Sequence, residues 1–399
     1  MYLDSAATSR PFVEVAEAVR EIMERSYGNP SSRHTLGLGA AAAVRRSREI
    51  LARVIGADPT EIVFTGGGSE ANNLALKGVA WAHVRSGKHV VLSAVEHPSV
   101  IEAARWLESF LGFELSLVNP DRDGAVRPEA IEAAVRPDTV LVSLMHVNNE
   151  VGTVQPVGEV GRRLLGLKGT DGRRKGLPLF HVDAVQSLGR MAVDVRAMGA
   201  DLLTVSGHKV HGPKGVGALY VARGVRLVPL VHGGGHEAGR RSGTENVPGI
   251  VGFGEALSGL LDHGPDEVGR RLSELKDLLL ATVRARCAGV VVNGDGDTTA
   301  ARPRSAPHIL NLSFPGIPGE VLQHHLERSG VYVSTGSACS SHHRGRRSHV
   351  LQAMGLPEDV VDSAVRLSFS VLNTPAEAEE AGLRIAAAVE ELSERGGRG

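Results

Sequence analysis

Strand-length apolar runs alternate with helix-length amphipathic stretches along most of this chain, and that alternation constrains its fold more than any other feature. The apolar runs, bounded by turn residues, lie at 61–65, 89–92, 139–144, 179–182, 202–205 and 216–221. Between several of them stand amphipathic stretches such as 70–85, 99–110 and 157–167. Parallel strands need a long crossover, usually a helix, so this order predicts an α/β sheet that is largely parallel with helices on its faces. After about residue 255 the texture changes to a long helical reading through Arg286, short strands near 288–293 and 309–313, and helices near 320–329 and 375–395. We therefore expect a large domain at 15–255 and a smaller α+β domain made of 1–14 and 256–399. No internal repeat is evident, and the Gly- and Arg-rich stretch 166–176 reads as an exposed connection.

Composition narrows the functional classes. Of the 399 residues, 42% are hydrophobic and 22% charged, enough apolar material for a packed core. The 44 basic and 45 acidic residues nearly cancel, so no overall field recruits nucleic acid or an anionic membrane. No apolar run reaches the length of a membrane span, and Met1-Tyr2-Leu3-Asp4 is not the start of a secretory signal, so a cytoplasmic protein is expected. Two cysteines, Cys287 and Cys339, make no disulfide framework. Only 7 of the 44 basic residues are lysines, so each lysine warrants a separate look.

Four segments can carry chemistry. The glycine run Phe64-Thr65-Gly66-Gly67-Gly68-Ser69-Glu70 falls between a predicted strand and a predicted helix. Such a turn aims backbone N–H groups and the positive end of a helix at a phosphate, or it is an ordinary tight turn. It lacks the lysine of a P-loop and the spacing of the dinucleotide fingerprint. Asp183, in His181-Val182-Asp183-Ala184-Val185-Gln186-Ser187, ends a buried strand where α/β sheets bind ligands, or else caps a helix. Lys209 follows the next strand, in Ser206-Gly207-His208-Lys209. A desolvated lysine is a nucleophilic amine able to form an imine with a carbonyl. An amine, a carboxylate and a phosphate turn together meet the needs of pyridoxal phosphate. Cys339 lies in the small, polar, basic segment Ser337 to Arg347, which favours a reactive thiolate. Cys287 sits in apolar surroundings and reads as packing, and His342, His343 and His349 lack the spacing of a metal site.

Taken in order, these blocks resemble the cysteine desulfurases of the class V aminotransferase group, which are fold-type I pyridoxal-phosphate enzymes. The likeness spans nearly the whole chain. It rests on Tyr27 to Ser32 with His34, the glycine turn, Glu96-His97, Asn148 to Gly152, His181 to Ser187, Ser206 to Lys209, His232 to His236, Arg241 to Thr244, Gly336 to Cys339, and Arg366 to Ser368. The resemblance implies a large domain with a mainly parallel seven-stranded sheet. It further implies that Lys209 bonds the cofactor aldehyde, Asp183 pairs with the pyridine nitrogen, His97 stacks on the ring and Gln186 meets the phenolic oxygen. Gly68, Ser69, Ser206 and His208 would hold the phosphate, with Thr244 arriving from the second subunit of a homodimer. Asn149 and Arg366 would bind the carboxylate of L-cysteine. Cys339 would take the substrate sulfur as a persulfide, for delivery to an iron–sulfur scaffold or sulfur carrier, while L-alanine leaves.

Three departures stand out: Ser370 where many relatives have glycine, a strongly basic stretch from His342 to Arg347, and a chain that stops soon after its last helix. The rival readings are a selenocysteine lyase or another β-lyase on the same cofactor, a transaminase, and a non-catalytic scaffold. The joint presence of Lys209, Asp183, His97 and Cys339 counts against the last.

Overall fold

The computed structural model describes residues 1–169, 176–294, 305–335 and 347–396. Seven strands form the larger sheet: β1 (Ile62–Thr65), β2 (His89–Ser93), β3 (Glu114–Val118), β4 (Thr139–Ser143), β5 (Leu179–Asp183), β6 (Leu202–Ser206) and β7 (Gly217–Val221). Their spatial order is β1-β7-β6-β5-β4-β2-β3, and every neighbouring pair is parallel except the two made by β7. The mainly parallel seven-stranded sheet expected from the sequence is the one observed.

Side-chain alternation along the strands feeds two separate cores. Val90 and Leu92 of β2 pack with Leu74 and Val79 of the helix Gly68–His83 and with Val100 and Leu107 of the helix Pro98–Leu111. Val91, one residue between, turns to the opposite face with Val142, Phe180, Val182 and Leu203. A sheet covered on both faces has no need of polar residues on either, which is why β2, β4, β5 and β6 read as continuous apolar runs.

The second sheet is antiparallel, in the order β10-β11-β9-β8, from β8 (Val291–Asn293), β9 (Ile309–Ser313), β10 (Ser334–Thr335) and β11 (Ala364–Ser368). The first residues of the chain join this sheet: Tyr2 bridges to Tyr332 and Asp4 to Ser368. The long helical stretch expected from 255 to 286 is instead two helices, Val247–Leu261 and Pro265–Arg284. Gly264 separates them at φ +71°, a left-handed conformation that suits glycine, and Pro265 then starts the second helix without needing an N–H donor. No helix among the described residues is long and apolar enough to cross a membrane.

Candidate active site

The ends of β5 and β6, the glycine turn after β1 and the first residues of the chain meet around a cavity of about 290 Å³. Gly68, Ser69, His97, Asn149, Asp183, Gln186, Ser206, His208, Lys209 and Arg366 all line it. The structure thus brings together ten of the twelve residues singled out from the sequence. Thr244 lines a different hollow of this chain, beside Gly66, Arg241 and Asn246. Cys339 lies outside the described residues.

Lys209 closes the single turn Gly207–Lys209 that follows β6, and its Nζ donates to the carbonyls of Ala6 (2.7 Å) and Ala7 (2.6 Å). Ala6 also receives the Gln186 Nε2 hydrogen bond at 3.0 Å. The N-terminal segment therefore sets the height of both side chains. Beneath them Arg190 donates to the carbonyls of Gln186 and Lys209, and no carboxylate reaches it among the described residues. Burial pushes this guanidinium down to about 10.

Asp183 stands at the carboxyl end of β5, 5% exposed. Its two oxygens accept from different donors, Oδ1 from the Val185 N–H (3.0 Å) and Oδ2 from the Asn72 amide (2.8 Å). His97 caps the helix Pro98–Leu111: its Nδ1 accepts from the Ser99 N–H at 3.2 Å and lies 2.8 Å from the Ser99 hydroxyl. Burial pushes the His97 imidazole down, reinforced by Lys209 and His349 and opposed by Asp183. His208 is pushed down to about 4, first by burial and then by Lys209. The His208 ring is therefore neutral at ordinary pH.

Whether these residues suit a phosphate-bearing cofactor can be tested on the glycine turn. Gly67 adopts φ +152° and opens the helix Gly68–His83, whose first N–H groups lack intrahelical acceptors. The Ser206 hydroxyl is buried beside this helix end with no hydrogen-bond partner among the described residues. A Cβ on Gly68 would stand 3.1 Å from Val185 and 3.4 Å from Ser206, so glycine keeps this approach open. A helix N-terminus, an unsatisfied hydroxyl and the neutral His208 are donors in search of an anion, and the site fits the group.

Arg366 and Asn149 lie together: one guanidinium nitrogen donates to the Asn149 carbonyl at 2.9 Å and the other to Asp4 at 2.8 Å. Its Nε has no hydrogen-bond partner among the described residues. Two buried acids sit behind the pocket. Glu96 accepts at one oxygen from Ser93 (2.8 Å) and the Met145 N–H (2.7 Å), while its other oxygen has no partner among the described residues. Burial pushes Glu96 up to about 8, with the Asp183 charge acting the same way against those two hydrogen bonds. Burial pushes Glu150 up to about 7, against a hydrogen bond from Ser348 and the charge of Arg366.

Sequence reasoning missed Asn72, Ser99, Asp4 and Arg190. Asn72 and Ser99 look like any polar residues inside helices, and Asp4 is joined to the site only through β11. Arg190, three residues past Ser187, differs from its neighbours only in being a charge inside an otherwise apolar stretch, which is a weak signal.

The family described as Aminotransferase class-V matches residues 1–380. The protein named cysteine desulfurase IscS of Dictyoglomus turgidum is 42% identical over 374 residues, covering 94% of this chain and 90% of that relative. Among solved structures, a NifS-like protein superposes with a TM-score of 0.87 at 36% identity, covering 98% of this chain and 100% of that one. The structure titled SspA in complex with cysteine gives 0.79 at 35% identity, over 94% and 99% of the two chains. The fold is that of fold-type I pyridoxal-phosphate enzymes. With Lys209, Asp183 and the glycine turn gathered around one cavity, and on the match of its sequence, the chain belongs to the class-V aminotransferases, within their cysteine desulfurase branch.

Proposed function

We propose that this protein is a pyridoxal-phosphate-dependent cysteine desulfurase acting on L-cysteine, and that the cavity described above is its active site. The observation that carries the reading is the convergence of Lys209, Asp183 and the unsatisfied Ser206 hydroxyl, with a helix N-terminus, on one cavity. When bound, the cofactor supplies an electron sink conjugated to the substrate's Cα.

The chain's own residues do the rest. Asp183, held from two sides, keeps a carboxylate against the pyridine nitrogen, and Gln186 meets the phenolic oxygen. Gly68, Ser69, Ser206 and His208 hold the phosphate, joined by Thr244 from a second copy of the chain in a homodimer. Asn149 and Arg366 orient the substrate carboxylate, and His97 covers the ring. Lys209 would hold the cofactor through its aldehyde, and its amine is the group placed to move the proton at the substrate Cα. The thiolate of Cys339 attacks the substrate sulfur: the S–S bond forms as the Cβ–S bond breaks, and the carbon skeleton takes up a proton and leaves as L-alanine. The persulfide on Cys339 then passes to an acceptor protein in the cytoplasm, for iron–sulfur clusters or other sulfur-containing products, with no direct nucleic-acid contact.

The test is an absorbance spectrum of the purified protein with pyridoxal phosphate, followed by alanine and sulfide assays with L-cysteine. A band at about 420 nm is expected, lost in Lys209→Ala and kept in Cys339→Ala while sulfide release stops. A protein that stays colourless with the cofactor sinks the proposal. A band with Cys339-independent turnover moves the reading to a β-lyase such as a selenocysteine lyase.

A further inference from the structure

A buried hydrogen-bond chain joins the carboxylate of Asp183 to the imidazole of His97. Asn72, 1% exposed on the helix Gly68–His83, uses its amide nitrogen twice: toward Asp183 Oδ2 at 2.8 Å and toward the Ser99 hydroxyl at 2.9 Å. The opposite amide orientation would set an oxygen against the Asp183 carboxylate, so the NH2 group must face it, and both its hydrogens are then committed. The Ser99 oxygen therefore accepts from Asn72, which frees the Ser99 hydrogen for the His97 Nδ1, 2.8 Å away. The Ser99 backbone N–H points at the same nitrogen at 3.2 Å. Two donors converge on Nδ1, and a nitrogen that receives two donors carries a lone pair.

We propose that Asn72 is a positioning residue which, acting through Ser99, fixes His97 as the tautomer with Nδ1 unprotonated and its hydrogen on Nε2. The relevance of this relay to catalysis rests on the reading that His97 covers the cofactor and Asp183 meets its ring nitrogen. Protonating His97 would mean placing a hydrogen on Nδ1 against the Ser99 N–H, so the relay also keeps the ring neutral. The charged and titratable groups facing the ring are Asp183, Lys209 and His349; Asp183 favours protonation, and the other two oppose it as burial does. His97 can then donate a hydrogen bond or a proton from Nε2. It cannot act as a base until that proton has been given up. The relay ties this donor to the same Asp183 that serves the ring nitrogen.

The experiment is a long-range 1H–15N correlation spectrum of histidine-labelled protein, with His97 assigned by its loss in His97→Gln, recorded before and after adding pyridoxal phosphate. In the wild type, Nδ1 is expected without a proton from about pH 6 to 9, a range that spans the ordinary imidazole midpoint. Ser99→Ala, which changes no charge and leaves the helix intact, and Asn72→Leu should each raise the His97 midpoint by about one pH unit, a tenfold gain in proton affinity. Ser99→Thr, which keeps a hydroxyl, should restore the wild-type value. A proton on Nδ1 in the wild type, or a midpoint unmoved in both Ser99→Ala and Asn72→Leu, overturns the relay. A His97 signal with the expected tautomer that ignores the cofactor supports the relay and overturns the reading of the pocket instead.

Discussion

Replacing Glu96 by glutamine should flatten the pH dependence of stability by an amount that follows from the structure. Glu96 is 0% exposed, and burial pushes its carboxyl from an ordinary 4.5 up to about 8, with the Asp183 charge adding to the effect. A group whose folded value is raised stabilises the fold fully below its unfolded value and loses that contribution as pH rises toward the folded value. The window is therefore about pH 4.5 to 8, and within it the wild type loses about 1.4 kcal/mol per pH unit at this residue. Glutamine retains an oxygen for Ser93 and the Met145 N–H, and it does not ionise. Between about pH 6 and 8, with the slope falling off near the folded value, the stability difference between variant and wild type should grow by about 2 kcal/mol, or about 3 °C in Tm for a chain of this length. The assay is thermal unfolding of both proteins by circular dichroism across that range. The constant cost of burying the glutamine NH2 drops out, because only the change with pH is read. A Tm difference that stays flat from pH 6 to 8 refutes the buried neutral acid.

Two further outcomes follow from the same geometry. Ser206→Ala removes a hydroxyl that has no hydrogen-bond partner among the described residues, so Tm without cofactor should hardly move while the dissociation constant for pyridoxal phosphate rises about tenfold, measured by equilibrium titration. Equal losses in both would assign Ser206 to packing alone. Arg190→Met strips partners from two buried carbonyls, those of Gln186 and Lys209, and should cost about 2 to 4 kcal/mol in denaturant unfolding, with Arg190→Lys recovering part of it. A methionine variant as stable as the wild type would show that those carbonyls find other donors.

The sequence was informative where physics acts locally. Strands β4, β5 and β6 are buried on both faces and so announce themselves as apolar runs, and Asp183 ends β5 while Gln186 and Lys209 follow β5 and β6, where an α/β sheet places its ligands. β3 escaped notice because it is an edge strand whose residues Glu114 to Leu117 stay partly or fully exposed, leaving no apolar run to read. β11 was legible only as a motif around Arg366, since its partners β9 and β10 come from distant parts of the chain. The break at Gly264 and Pro265 was passed over because the apolar periodicity resumes at once on the far side. Asn72 and Ser99 were invisible for a different reason: their roles come from mutual placement across two helices, and no spacing along one helix encodes it.

The segment Asp4 to Ser9 has a bearing on how the enzyme comes into being. Its carbonyls receive Lys209 and Gln186, its Asp4 receives Arg366, and the Ala6 N–H donates to Ser368, 362 positions away. The Lys209 and Gln186 contacts join residues 203 and 180 positions apart, whereas the Arg366 and Ser368 contacts wait for β11, which is made long after β5 and β6. Closing a loop of that length costs entropy that only the finished contacts return, so the N-terminal segment stays only partly paired until β11 is made. The parallel sheet can form around β5 and β6 well before then. Completion of the frame around Lys209 is thereby deferred until β11 is made, and a chain cut short of β11 holds Asp4 and Ala6 without their Arg366 and Ser368 partners.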